Sequence, residues 1–178
     1  ALPIYEKYFD KVEKYETAVN SIDEELTTYL IDISNESLSV SENEILASVL
    51  DSVRDLERIG DLAVASASLS QHIHSKGIEF SETAKAELAD VYNRTHRIIL
   101  DSIRVVVDDD KVLAGQVILR HEELEKLAKQ LRKIHTKRLN NGECTAQAGI
   151  NYVDYLSHYT RIADHAINLV EKVTEGVI

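Results

Sequence analysis

The chain has no tryptophan, no methionine, one proline, one cysteine and six glycines in 178 residues. So little proline and glycine leaves scant material for tight turns, which argues against a sandwich or barrel of many short strands. The lone Cys144 rules out an internal disulfide and suits a reducing compartment. No apolar run approaches the roughly 18 residues that span a bilayer, and no signal-peptide pattern opens the chain. Ala1 in place of a start methionine reads as processing, or as a piece of something longer. Excess basic charge is also missing. The net charge is −11, against the dominant positive surface that a nucleic-acid binder needs. Residues 1–61 carry a net −10 and the rest only −1, so the acidic field lies on the first third.

What is present is helical periodicity. Apolar residues recur at steps of three and four in five stretches. Val12, Tyr15, Val19, Ile22, Leu26, Tyr29 and Ile33 form the first stripe; Leu46, Val49, Val53, Leu56, Gly60, Ala63 and Ala67 form the second. Leu88, Val91, Thr95, Ile98, Ser102 and Val105 form the third. Two more run from Leu113 to Ile134 and from Tyr152 to Val173. Ser41 with Glu44 has the spacing of a capping box, and Ser81 precedes another helical run. Gly77 and Asn141-Gly142 are stop signals, and Asp108 to Asp110 suit a turn followed by a helix start. The spacing predicts helices near 4–36, 42–75, 82–107, 110–139 and 145–175.

The chain also repeats itself. DLERIGD (55–61) and HYTRIAD (158–164) coincide at an offset of 103, which places Arg58-Ile59 on Arg161-Ile162 and Asp61 on Asp164. With a one-residue slip, SIDEEL (21–26) overlies LEKLA (124–128). The second copy has an extra helix in front, 82–107; the first does not. The expected fold is therefore all-α. Long antiparallel helices would form two three-helix repeats, 1–77 and 78–178, packed as one unit, with the first lacking its leading helix.

The plain reading of the repeated stretch is packing plus surface ion pairs. Gly60, Ala63, Ala163 and Ala166 are small enough for close helix approach, and charges at i,i+3 and i,i+4 pair on a wet face. The functional reading is that Glu57 and Asp61, one turn apart, offer two carboxylates to a hard cation. Asp164 recurs at the second copy, but Thr160 replaces the carboxylate there. Asp154 and Asp51 flank such a site. The metal candidates are thus Glu57, Asp61, Asp164 and Asp154. Catalytic readings find little support: there is no Glu-x-x-His pair, no Gly-rich phosphate loop, no HExxH and no CxxC. Residues 126–138 hold six Lys or Arg and no acid, either a solvated face or a patch for anionic lipid or an acidic partner.

DLERIGD and RIADHAINLVE resemble the ERIGDHAxNI-like signature of PhoU-type proteins. With LRKIHTKRLNNGEC and residues 6–34, the resemblance covers essentially the whole chain and is nearest to the PhoU-like cytoplasmic region of bacterial sodium-dependent phosphate cotransporters. It implies a pair of three-helix bundles and metal bound through E/DxxxD carboxylates. It also implies a non-enzymatic role in phosphate homeostasis through a transporter, in the same polypeptide, or a signalling protein. The expected location is the inner face of the membrane. A free-standing PhoU-like regulator and, further off, a metal-dependent phosphohydrolase are the alternatives, and pairing with a second copy is a further expectation. The sequence departs from the signature at Leu62 and Ala65, where the pattern has His and Asn, and at Thr160.

Overall fold

The structure is a computed structural model that describes the backbone of residues 2–176 and the side chains of residues 8–176. The described residues form five helices: α1 (Leu2–Ser34), α2 (Val40–Ser75), α3 (Glu82–Asp108), α4 (Lys111–Asn140) and α5 (Ala146–Thr174). There is no strand among them. The ends follow local chemistry. Ser81, Asp110 and Thr145 cap α3, α4 and α5 by accepting bonds from free backbone N–H groups. Gly77 and Gly142 adopt φ of +61° and +71° just past α2 and α4, a conformation glycine reaches without strain.

The capping box of α2 lies one register earlier than expected. Ser39, not Ser41, is the cap: its backbone N–H donates to Glu42 Oε2 at 2.7 Å, and Glu42 N–H donates to Ser39 Oγ at 3.3 Å. Alternating serines offer both registers. The earlier one lays Leu38 on the Leu30, Leu46 and Val53 cluster, while the later one would have put exposed Val40 before the cap.

Helix α5 is central, packing against α2, α3 and α4, whereas α1 packs against α2 alone. The main core lies among α3, α4 and α5, built on Val91, Ile98, Val105, Val117, Leu124, Leu156 and Val170. All six residues of the third predicted stripe are buried. The first stripe is different. Tyr15, Ile22, Leu26 and Tyr29 are exposed, and Leu30 is buried instead. With one neighbour, α1 covers one face only, the one carrying Val12, Glu16, Val19, Asp23, Thr27 and Leu30. In α2, Leu56 and Ala63 are likewise exposed, and Leu62 is buried.

Two polar knots tie the helices. Arg138 of α4 grips Glu87 of α3 with both guanidinium nitrogens, at 2.8 and 2.7 Å, while Tyr152 of α5 donates its hydroxyl to the same carboxylate at 2.8 Å. Arg138 holds the Glu87 carboxyl below the usual range. The second knot joins the two halves. Asp55 of α2 is buried and accepts bonds from His165 Nδ1 at 2.9 Å, Asn168 Nδ2 at 3.0 Å and Lys172 Nζ at 3.5 Å, all on α5.

Candidate functional site

Glu57 and Asp61 do meet. They lie close enough on the flank of α2 for the charge of Asp61 to act on Glu57, and Asp23 of α1 adds a third negative charge. Burial pushes the Glu57 carboxyl up, and the charges of Asp61 and then Asp23 reinforce the shift; Arg58 opposes it weakly. One oxygen of Asp23, Oδ1, is buried without a hydrogen-bond partner. Acids that crowd until one resists ionisation, beside an orphaned carboxylate oxygen, are a donor set suited to a hard cation. No group of three His, Cys, Asp or Glu side chains among the described residues is already spaced as a cage. A cation would therefore have to draw Asp23 and the Glu57–Asp61 pair together.

Asp23 was missed in the sequence, where SIDEEL offers three acids in a row. Only helix phase separates them: Asp23 shares the α2-facing side of α1 with Val19 and Leu30, while Glu24 and Glu25 face solvent.

The second copy is built differently. Asp164 Oδ1 pairs with His121 Nε2 of α4 at 2.8 Å, and that bond holds the His121 pKa above its ordinary value despite burial. Arg132, also on α4, places a guanidinium nitrogen 3.4 Å from the hydroxyls of both Ser157 and Thr160. Arg132 and His121 thus occupy the region where the first copy has acids. Asp154 does not join Asp164. Ten residues apart on one helix, they are separated by about 15 Å along its axis, and Asp154 acts instead on His158. Nor do the two copies share a site, since Glu57 faces α1 and Asp164 faces α4.

The basic run 126–138 divides by residue type. Arg132, His135 and Arg138 turn inward to α3 and α5, while Lys126, Lys129, Lys133 and Lys137 stay exposed along one flank of α4. Two of the six cationic side chains in the apparent patch are therefore internal wiring.

A profile of the PhoU domain matches residues 5–69 and 88–173. The chain belongs to the PhoU family. It is 30% identical over 128 residues to the phosphate-specific transport system accessory protein PhoU homolog 1 of Thermotoga maritima, a match covering 72% of this chain and 54% of the relative. The chain thus spans about half the length of that curated relative. Its fold superposes on PhoU from Pseudomonas aeruginosa with a TM-score of 0.81 at 21% identity, over 94% of this chain and 81% of that one. The phosphate transport system regulatory protein PhoU from Streptococcus pneumoniae gives 0.79 at 18% identity, over 98% and 81%.

Set in this PhoU fold, the departures from the signature have a local explanation. His165 and Asn168, the signature residues of the second copy, reach across to Asp55, the first residue of DLERIGD. At the same offset of 103 the counterpart of Asp55 is His158, the first residue of HYTRIAD. His158 faces back across the same junction, where its Nδ1 lies 3.2 Å from Ser66 Oγ. A carboxylate needs donors opposite it and finds His and Asn. A histidine kept neutral by burial does not, and its side of the junction carries Leu62, Ala65 and Ser66.

Proposed function

We propose that this chain is a non-enzymatic regulator of phosphate transport that works by binding partner proteins, with a metal site in its first copy. The observation that carries the regulatory reading is the PhoU match to both halves of the chain. The relatives are named as an accessory and a regulatory protein of phosphate transport systems. Their names favour a free-standing regulator over the tail of a sodium-coupled carrier. The test is a phosphate-responsive reporter in a bacterium lacking its own PhoU. Expression of this chain restores repression at high phosphate; unchanged reporter output at full protein level refutes the reading.

The metal site rests on Glu57, Asp61 and the unpartnered oxygen of Asp23. Asp164 and Asp154 are left out of it, the first because its Oδ1 is already engaged by His121 at 2.8 Å. Equilibrium dialysis against Mn²⁺ or Fe³⁺ checks this. Glu57→Ala abolishes binding and Asp164→Ala leaves it intact. Equal loss from both variants, or no metal taken up by the unaltered chain, overturns the assignment.

A further inference from the structure

Helix α4 carries three arginines that turn toward neighbouring helices. Arg120 pairs with Asp101 and Arg138 with Glu87, both acids of α3. Arg132 faces α5 and, among the described residues, pairs with no carboxylate. Its contacts are the hydroxyls of Ser157 and Thr160, each 3.4 Å from Nη2, against the roughly 2.9 Å of a well-formed bond. Its Nε and Nη1 donate to nothing among the described residues. A guanidinium drawn partly out of water and set against two neutral hydroxyls lacks the anion that normally accompanies such a charge.

The side chains around Arg132 divide into donors and one acceptor. Thr160 gives its own proton to Leu156 O at 2.9 Å, so it offers only an oxygen. Ser157 keeps its proton, which nothing among the described residues accepts. Lys129, a turn before Arg132, and Arg161, a turn after Ser157, are exposed at the rim of the groove. Asp164 stands one turn beyond Thr160. Its Oδ1 is engaged by His121 at 2.8 Å, and its Oδ2 has no partner among the described residues. The remaining acid, Glu125, lies toward the His121 end, where its charge acts on that ring. At the offset of 103, Thr160 stands where the first copy has Glu57. The duplication has thus exchanged a carboxylate beside an acid for a hydroxyl beside an arginine, and the sign of the site is reversed.

We propose that the groove between α4 and α5 binds hydrogen phosphate, with Arg132 and Ser157 donating to its oxygens and Asp164 accepting its proton. A guanidinium presents two parallel N–H groups to two oxygens of a tetrahedral anion. About 5.4 Å of helix separates Thr160 from Asp164, so an anion held by Arg132 over Thr160 comes within reach of the Asp164 carboxylate. That carboxylate decides which anion enters. It repels sulfate, which has no proton to give, and accepts a hydrogen bond from hydrogen phosphate, which has one. The site is separate from the acids of the first copy. It goes beyond the regulatory reading and does not rest on it, because it follows from one arginine, two hydroxyls and one carboxylate.

The test is isothermal titration calorimetry of the whole chain with inorganic phosphate at neutral pH. A chelator in the buffer keeps any metal at Glu57 and Asp61 from carrying the anion. One phosphate should bind per chain with Kd below about 1 mM, and sulfate should bind at least about tenfold more weakly. Arg132→Gln should weaken phosphate by at least about tenfold and Ser157→Ala by about threefold or more. Lys126→Gln removes the same charge from an exposed position of the same helix and should leave binding unchanged. Asp164→Asn should bring phosphate and sulfate to within about threefold of each other. Circular dichroism checks that each variant folds; if Arg132→Gln does not, Ser157→Ala and the sulfate comparison decide. No heat from phosphate overturns the proposal. So does equal affinity for sulfate in the unaltered chain, and so does a loss on Lys126→Gln as large as that on Arg132→Gln, which would make the attraction a general one of the basic flank.

Discussion

Asp55 is where the two halves of the chain depend on one side chain. Its carboxylate is buried and accepts from three α5 donors, two at 2.9 and 3.0 Å and one at 3.5 Å. Asp55→Ala strands those donors in a junction where Lys172 is only 16% exposed. Charge-assisted bonds contribute roughly 1.5–3 kcal/mol each, and removing one member of a buried pair costs about 3–5 kcal/mol. Water entering from the open side of the junction offsets part of this. A net loss of about 3 kcal/mol is expected, which for a chain of this size lowers Tm by about 6–12 °C. Asp55→Asn keeps an acceptor for His165 and Asn168 and loses only the charge toward Lys172, so it should cost about 1 kcal/mol. Urea denaturation followed by helical circular dichroism measures both. A cycle with His165→Ala should show a coupling of about 1–2 kcal/mol. If Asp55→Ala stays within about 0.5 kcal/mol of the unaltered chain, the junction is held by apolar packing and the knot is incidental.

Three further outcomes follow from the same contacts. His121, held above its ordinary value of 6.5 by Asp164, adds stability while the unfolded histidine is also charged, and loses that contribution as pH rises through the folded value. Asp164→Asn should therefore lower Tm near pH 5.5 and have little effect at about pH 9; an equal effect at both would show that the pair does not titrate. Glu57 has the opposite consequence: its raised carboxyl penalises the fold once ionised, so Glu57→Gln should raise Tm at neutral pH without metal while removing metal binding. A lower Tm in metal-free buffer would contradict the crowding seen among the acids. The helix glycines should divide. Gly115→Ala meets no atom within 4 Å and should gain about 1 kcal/mol. Gly149→Ala would place its Cβ 2.7 Å from Leu139 Cδ1 and 2.9 Å from His135 Nε2, and His135 is stacked on Tyr152. It should lose about 1–3 kcal/mol. Thermal melts that rank the two alanines the other way would refute this.

Much of the fold was legible because each helix carried its own signals. The α3 stripe buried all six expected residues since α4 and α5 both lean on it. The α1 stripe was equally regular and misled, because periodicity shows which face is apolar and not whether anything covers it. The Glu57–Asp61 pair was legible from i,i+4 spacing; Asp23 was not, because its role depends on the side of α1 that meets α2. Asp55 stood first in the quoted motif and went unread, since a search for apolar periodicity passes over a buried acid. Its trace lay in the duplication, where the matching residue is His158, polar again at a position that meets the other half.

The attachment of α1 to α2 alone sets an order in which the molecule can come apart. Lifting α1 uncovers the small cluster of Leu30, Leu46 and Val53, while the core among α3, α4 and α5 stays closed. Amide protons of α1 should therefore exchange with deuterium through this partial opening, well ahead of those of α5, which wait for the whole fold to open. Helix α1, the most readily released layer of the molecule, thus carries a net −5 of the −10 on residues 1–61, so its release parts the acidic first third of the chain in two.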